Sequence, residues 1–224
     1  MPPFVTPTRS AAIQTLAFIL LLAAVLFGSA GKIDMAAFWG YVAVVAAVSG
    51  LGLLLIDRDL AQERMRPGGR RPGARFLLIM LLLLAHWAVA GLDRGRLHWS
   101  DAVPPALQLA GLVLFALAWS MIVWAMHVNR FFSSVARIQQ ERGHHVVDSG
   151  PYRWVRHPGY AAAIVAALVS GIALGSWLAT AVGALGVPLI LWRTIIEDRL
   201  LRAELPGYRA YAQRVPRRLV PGLW

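Results

Sequence analysis

Two short polar segments in an otherwise apolar chain hold the residue types that chemistry needs. The first runs from Asn129 to Tyr160 and ends in Gly150-Pro151-Tyr152-Arg153-Trp154-Val155-Arg156-His157-Pro158-Gly159-Tyr160. Pro158 pushes His157 out of the α region, and proline itself suits the first position of a helix. His157 is therefore expected at the threshold of a helix whose first N–H groups lack helical partners. Such groups, with the positive end of the helix dipole, favour an anion. Arg156 adds a planar fork shaped for a carboxylate or phosphate. On spacing alone two readings stay open. Either the segment receives the small anionic group of a ligand, or proline merely starts a helix and Arg156 meets lipid phosphate.

The second segment runs from Arg193 to Trp224 and opens with Arg193…Glu197-Asp198. Acidic side chains at a helix C-terminus face the unfavourable end of the dipole, so something else must hold them. Arg193 and Glu197 are four apart and can pair on one helix face. This is either a solvated ion pair or a carboxylate placed for ribose hydroxyls or a cationic ligand. His144 and His145 are adjacent and diverge, so metal ligation is not expected. His86, His98 and His127 are isolated and read as core or interface residues. The absence of cysteine excludes disulfides, thiolate metal sites and cysteine nucleophiles. Gly50-Leu51-Gly52 lies in an apolar run with no strand before it, so it is no dinucleotide fingerprint.

The elements that must position these residues are membrane helices. The 224 residues are 58% hydrophobic and 15% charged, with mean hydropathy +0.59, against about 25% charged for a soluble domain. A crossing helix needs roughly 20 apolar residues. Such runs cover Ala11–Ala30, Met35–Ile56, Phe76–Leu92 and Pro104–Val128, followed by about thirty polar residues, then Tyr160–Leu174 and Trp177–Ile196. The last two read as a helical hairpin turning at Gly175-Ser176. Its first arm is short at roughly 23 Å, and its second is kinked where Pro188 clashes with the Ala184 carbonyl. This hairpin brings Arg156, His157 and Tyr160 beside Arg193, Glu197 and Asp198. The expected fold class is all-α and polytopic, with about six apolar helices. Residues 1–128 form four transmembrane helices and residues 129–224 form the region that carries the chemistry.

Of 22 Lys and Arg residues, 19 fall in alternate segments on one side of this layout. The positive-inside rule makes that side cytoplasmic, with both termini and both polar segments. The net charge of +11 is then a topology signal and an attraction to anionic headgroups, and nucleic acid is not an expected partner. The first apolar run is longer than a signal-peptide core, with only Arg9 before it, and is read as a retained helix. Arg66–Gly73 is linker-like. Trp39, Trp99, Trp154, Trp177 and Trp224 fall near interfaces, as an aromatic belt places them.

These residues resemble a known family. Gly150-Pro151-Tyr152…Arg156-His157-Pro158-Gly159-Tyr160, Gly175-Ser176-Trp177, Arg193…Glu197-Asp198…Leu201 and Pro206-Gly207-Tyr208…Tyr211…Val215-Pro216…Arg218…Pro221 resemble the isoprenylcysteine carboxyl methyltransferase family and its phospholipid methyltransferase relatives. The resemblance covers about 95 residues, from Asn129 on. It departs at Asp198, where the family usually shows a second glutamate. It implies an S-adenosylmethionine (SAM) site drawing on Gly150, Tyr152, His157, Pro158, Tyr160, Glu197 and Asp198, with no metal. Arg156, Arg193 and Glu197 would serve the reaction, and Arg193, Tyr211 and Arg217 the acceptor.

The implied chemistry is in-line displacement at a methyl carbon, driven by proximity and orientation. A carboxylate acceptor of isoprenylcysteine type needs no general base; a protonated amine does, with Glu197 or His157 as candidates. A lipophilic or lipid-anchored acceptor enters from the bilayer, and SAM from water. A phospholipid amine and a small thiol are alternative acceptors. Two other classes stay open. Sterol reductases that use a nicotinamide cofactor share this C-terminal style, but they typically carry Asn at the Gly159 position and a glutamate soon after Tyr160, where this chain has Ala161-Ala162-Ala163. A non-enzymatic lipid-binding scaffold would not need the two polar clusters to bind a nucleoside.

Overall fold

The computed structural model describes residues 9–65, 68 and 74–220. The linker-like Arg66–Gly73, apart from Gly68, falls outside these residues, as do Pro221 and Trp224. The chain is all-helical among the described residues: α1 Arg9–Ala30, α2 Ala36–Leu55, α3 Arg58–Met65, α4 Ala74–Leu92, α5 Pro105–Val128, α6 Pro158–Leu174, α7 Trp177–Ala184, α8 Gly186–Glu204 and α9 Tyr208–Arg214. Five helical stretches are long and apolar enough to cross a membrane, one of them the α7–α8 run Trp177–Glu204, and α6 is a shorter sixth. The expected polytopic layout is therefore present. Large apolar side chains such as Leu20, Leu77, Leu109 and Leu117 face outward, as lipid-facing positions require.

Local chemistry sets the element boundaries. Pro104-Pro105 opens α5 and Pro158 opens α6, each at a helix start that needs no proline N–H. The break expected from Pro188 falls at Leu185, between α7 and α8. The expected hairpin turn is fixed from outside itself. Gly175 ends α6 with φ +80°, and the Ser176 hydroxyl caps α7 by accepting from the Ala179 N–H. The same hydroxyl donates to buried Asp93, which also accepts from the Ser100 N–H and hydroxyl. Gly171 lets the arms close: a Cβ there would lie 2.1 Å from the Thr180 backbone nitrogen.

Helix α3 was not legible as an element in the Arg-rich loop. The Asp57 side chain accepts from the Asp59 N–H at 2.7 Å, Asp59 and Arg64 suit the two ends of the dipole, and Leu60 is fully buried. Helix α9, in the C-terminal segment, packs Tyr208, Tyr211 and Ala212 with Leu205 and Val215 into a small second core.

Candidate functional site

The hairpin does bring the two polar segments together. His157, with φ −129° and ψ 61°, stands outside the helix that Pro158 begins. The anion that this threshold calls for comes from the chain itself. Arg156 donates from Nε to Asp198 Oδ1 at 2.8 Å and from Nη2 to Oδ2 at 3.2 Å, while its Nη1 meets the Val215 carbonyl. Oδ1 also accepts from the Tyr208 hydroxyl at 2.9 Å and lies 3.4 Å from His157 Nε2. Oδ2 also accepts from Arg202 and Arg218, each at 3.1 Å. Asp198 is fully buried, and three contacts on each oxygen use up the roughly four lone pairs of a carboxylate.

The backbone repeats this closure. The Arg156 and His157 N–H groups donate to the carbonyls of Arg217 and Arg218, so the C-terminal tail lies along the helix threshold. Arg217, expected as an acceptor ligand, contributes this carbonyl while its side chain is exposed. Tyr211, likewise expected there, donates its hydroxyl to the Tyr152 carbonyl at 2.8 Å. The Tyr152 hydroxyl reaches the Ala125 carbonyl of α5 at 3.3 Å. Burial pushes the phenols of Tyr152, Tyr208 and Tyr211 well above their ordinary range, so each keeps the proton it donates.

A second constellation lies beside the first. The Tyr160 hydroxyl donates to Glu197 Oε2 at 2.6 Å and accepts from Arg193 Nε at 2.6 Å. Arg193 and Glu197 themselves are 3.9 Å apart, so the phenol bridges the expected ion pair. Glu197 keeps its Oε1 without a protein partner among the described residues. Gly159 admits the Phe132 ring over the start of α6: a Cβ there would lie 2.5 Å from that ring. Gly150, at φ +54°, begins the turn that carries Tyr152.

Residues 129–147, the first part of the expected polar segment, form a strap over the site, and what holds them is the unforeseen α3. Arg137 donates from Nε and Nη2 to the two oxygens of Glu63 at 3.0 and 2.8 Å, and the Ser133 hydroxyl joins at 2.9 Å. Burial alone would raise the Glu63 pKa, but these donors and the Gly68 N–H together hold it below the usual carboxylate range. The other two nitrogens of Arg193 donate to the carbonyls of Ser133 and Ser134. The only sequence signal for this strap is its charge pattern, which names no partner.

Beneath the strap is a cleft lined by Phe131, Phe132, Tyr152, His157, Tyr160 and Glu197, among others, with about 50 Å³ of enclosed space. That is room for a few waters. Its lining joins aromatic rings, the Glu197 carboxylate, the guanidinium groups of Arg137 and Arg156 and the imidazoles of His144, His145 and His157, a set with the chemistry to meet an aromatic, cationic, hydroxyl-bearing ligand. On the membrane side of Arg193 lies a second cavity of about 280 Å³, walled by apolar side chains of α1, α2, α4, α5, α6 and α8. Among the described residues no group of three or more His, Asp or Glu side chains is placed to hold a metal ion.

Comparison with known proteins bears on the same segment. The match to the Isoprenylcysteine carboxyl methyltransferase (ICMT) family spans residues 109–203. Curated relatives include the cobalt-zinc-cadmium resistance protein CzcN of Cupriavidus metallidurans, 30% identical over 132 residues, covering 58% of this chain and 57% of that protein. They also include probable protein-S-isoprenylcysteine O-methyltransferases of Oryza sativa subsp. indica and subsp. japonica, each 34% identical over 93 residues, covering 39% of this chain and 47% of the relative. The chain spans about half the length of the curated relatives it matches. The resemblance read from the sequence is thereby confirmed from residue 109 to residue 203, which takes in Gly150–Tyr160 and Arg193…Asp198 but not the Pro206–Pro221 tail: there this membrane protein carries the pattern of the isoprenylcysteine carboxyl methyltransferase family.

Proposed function

We propose that this protein is an integral membrane methyltransferase that uses SAM from the cytoplasm and methylates a carboxylate on a lipophilic acceptor. One observation carries the reading. The Tyr160 hydroxyl, held between Glu197 and Arg193, stands where the polar cleft meets the apolar cavity, since Glu197 and Tyr160 line the first and Arg193 lines the second. A water-soluble donor and a membrane-soluble acceptor can meet there.

When bound, SAM supplies an electrophilic methyl group on a sulfonium. Tyr160 and the neighbouring rings present their electron-rich faces to that positive charge, and Glu197 Oε1 accepts from ribose hydroxyls. His157 and Tyr152 would form part of the cleft wall, with Pro158 fixing the helix start beside the first and Gly150 the turn that carries the second. Arg193 orients the acceptor carboxylate. SAM held there would give its methyl group to the carboxylate oxygen and leave as a thioether, a methyl ester being the product, with no proton for the protein to move. Excluding water favours this step because two opposite charges cancel. The Arg156–Asp198 pair positions α8 against α6, and Arg156 also lines the cleft. The positive-inside count supports a cytoplasmic site.

The test is calorimetric titration of S-adenosylhomocysteine into purified protein, with NADPH alongside and Glu197→Ala as control. Micromolar binding of the first, lost in the variant, is expected. Binding of NADPH alone would transfer the reading to the reductase class. Silence for both in folded protein would point to the scaffold.

A further inference from the structure

The groups around Tyr160 carry more positive charge than the chain neutralises there. Arg193 stands 3.9 Å from Glu197, and its three nitrogens already donate to the Tyr160 hydroxyl and to the carbonyls of Ser133 and Ser134. Of the five N–H bonds of a guanidinium it keeps two. The preceding carbonyl of the strap, that of Phe132, accepts from a second guanidinium: Arg64 Nη1, on α3, donates to it at 3.3 Å. Arg64 also lies over the Phe132 ring, 5.4 Å from its centre, and that ring is 6.0 Å from the Tyr160 ring. Two guanidinium groups thus sit on three successive carbonyls, residues 132–134.

Arg64 has no acid of its own among the described residues, and its other four N–H bonds meet no protein acceptor there. The adjacent Glu63 is engaged by Arg137, the Ser133 hydroxyl and the Gly68 N–H. Burial pulls the Arg64 pKa down, and the charge of Arg193 is close enough to pull the same way. A half-buried guanidinium beside another one calls for a counter-ion. Holding the strap does not require that charge, since the Ser134 hydroxyl already donates to the Arg64 carbonyl. Arg64 lines a further cavity of about 300 Å³ between α1, α2, α3 and α5, with Leu53, Ile56 and Met126 among its apolar walls. Trp119 and Ile122 line both this cavity and the one at Arg193.

We infer that Arg64 is the second cation of the acceptor site, sharing the acceptor's carboxylate with Arg193 and so selecting an amphiphile with an ionised head. The inference rests on the acceptor reading above, and it adds a residue from outside the stretch 109–203 that carries the family pattern. The free N–H bonds of the two side chains are enough to meet the roughly four lone pairs of one carboxylate.

The probes are N-acetyl-S-farnesylcysteine and its uncharged carboxamide, bound without SAM to protein in phosphatidylcholine nanodiscs, with affinities referred to concentration in the bilayer. The acid is expected to bind about tenfold more tightly than the amide, the scale of a charge-assisted hydrogen bond. Arg64→Gln should bring that ratio below about threefold, and Arg64→Lys should restore part of it as a point charge. A merely structural role, loosening the strap, would weaken both probes alike and leave the ratio unmoved. A ratio near one in the unaltered protein overturns the inference, and so does a ratio that persists in Arg64→Gln. Adding phosphatidylglycerol to the nanodiscs separates the acceptor from a lipid headgroup, and the ratio is expected to stand. Acid binding that then falls in the unaltered protein but not in Arg64→Gln would give Arg64 to lipid phosphate and overturn the inference. Failure of S-adenosylhomocysteine to bind while the ratio depends on Arg64 would remove the methyltransferase reading and leave this anion site standing.

Discussion

Arg156 and Asp198, forty-two residues apart, face each other through two hydrogen bonds of 2.8 and 3.2 Å with both side chains about 1% exposed. The pair joins the threshold of α6 to the far end of α8, and Arg202, Arg218 and Tyr208 converge on the same carboxylate. Removing one partner of such a pair strands a buried charge, which costs about 3–5 kcal/mol. Asp198→Asn should therefore lower the thermal midpoint sharply and release the C-terminal tail to protease. Arg156→Lys should not rescue it, because an ammonium cannot bridge both oxygens. Circular dichroism melts with timed proteolysis check both.

Tyr160→Phe should lower the thermal midpoint and weaken the site by more than that loss of stability accounts for. It deletes the hydroxyl between Glu197 and Arg193. Hydrogen bonds to charged groups contribute about 1.5–3 kcal/mol, so roughly a ten- to hundredfold loss of S-adenosylhomocysteine affinity is expected by calorimetry. Tyr211→Phe tests the contrast. Its hydroxyl ties α9 to the Tyr152 carbonyl, so stability should fall and affinity should follow only as the fold loosens.

The strap should respond to mild acid through His144. Burial, then the nearby positive charges of His145, Arg142 and Arg137, push its imidazole down to about 4. Its Nδ1 accepts from the Gln139 N–H at 3.2 Å, a bond that only the unprotonated nitrogen can make. The unfolded chain takes up this proton near pH 6.5, so between pH 6.5 and about 4 the unfolded state binds more protons than the folded one. The stability contribution is whole above pH 6.5 and declines as pH falls to about 4. His144→Asn keeps an acceptor without the titration and should flatten the dependence of the thermal midpoint on pH in that window.

Gly171→Ala should destabilise the hairpin. A Cβ 2.1 Å from the Thr180 nitrogen meets backbone that cannot rotate away, so the α6 and α7 arms must part. Overpacking of this kind costs about 1–3 kcal/mol, read as a lowered thermal midpoint in detergent. Gly50→Ala, with nothing within 4 Å of its Cβ, should be neutral or slightly stabilising.

The membrane helices, the hairpin and its Pro188 break were legible because hydropathy and proline act through local physics. Pro158 placed His157 outside the helix for the same reason. Partner choice was less legible. Arg156 reads as a fork awaiting an anion, and nothing local says that Asp198 fills it; that follows only from how α6, α8 and the tail cross. Arg217 and Tyr211 likewise belong to the right segment, yet one offers a carbonyl and the other a tether. Helix α3 escaped because its stability comes from Leu60 burial and contacts with the strap, which no pattern in an Arg-rich loop announces.

The most direct test of the central claim is transfer of tritium from methyl-labelled SAM to N-acetyl-S-farnesylcysteine by purified protein in nanodiscs, followed by alkaline hydrolysis of the product. The account predicts label released as volatile methanol, the behaviour of a methyl ester, and its loss in Glu197→Ala. Label that resists alkali would place the methyl group on nitrogen or sulfur and contradict the carboxylate reading. No transfer to this acceptor would contradict an isoprenylcysteine-type carboxylate as the substrate.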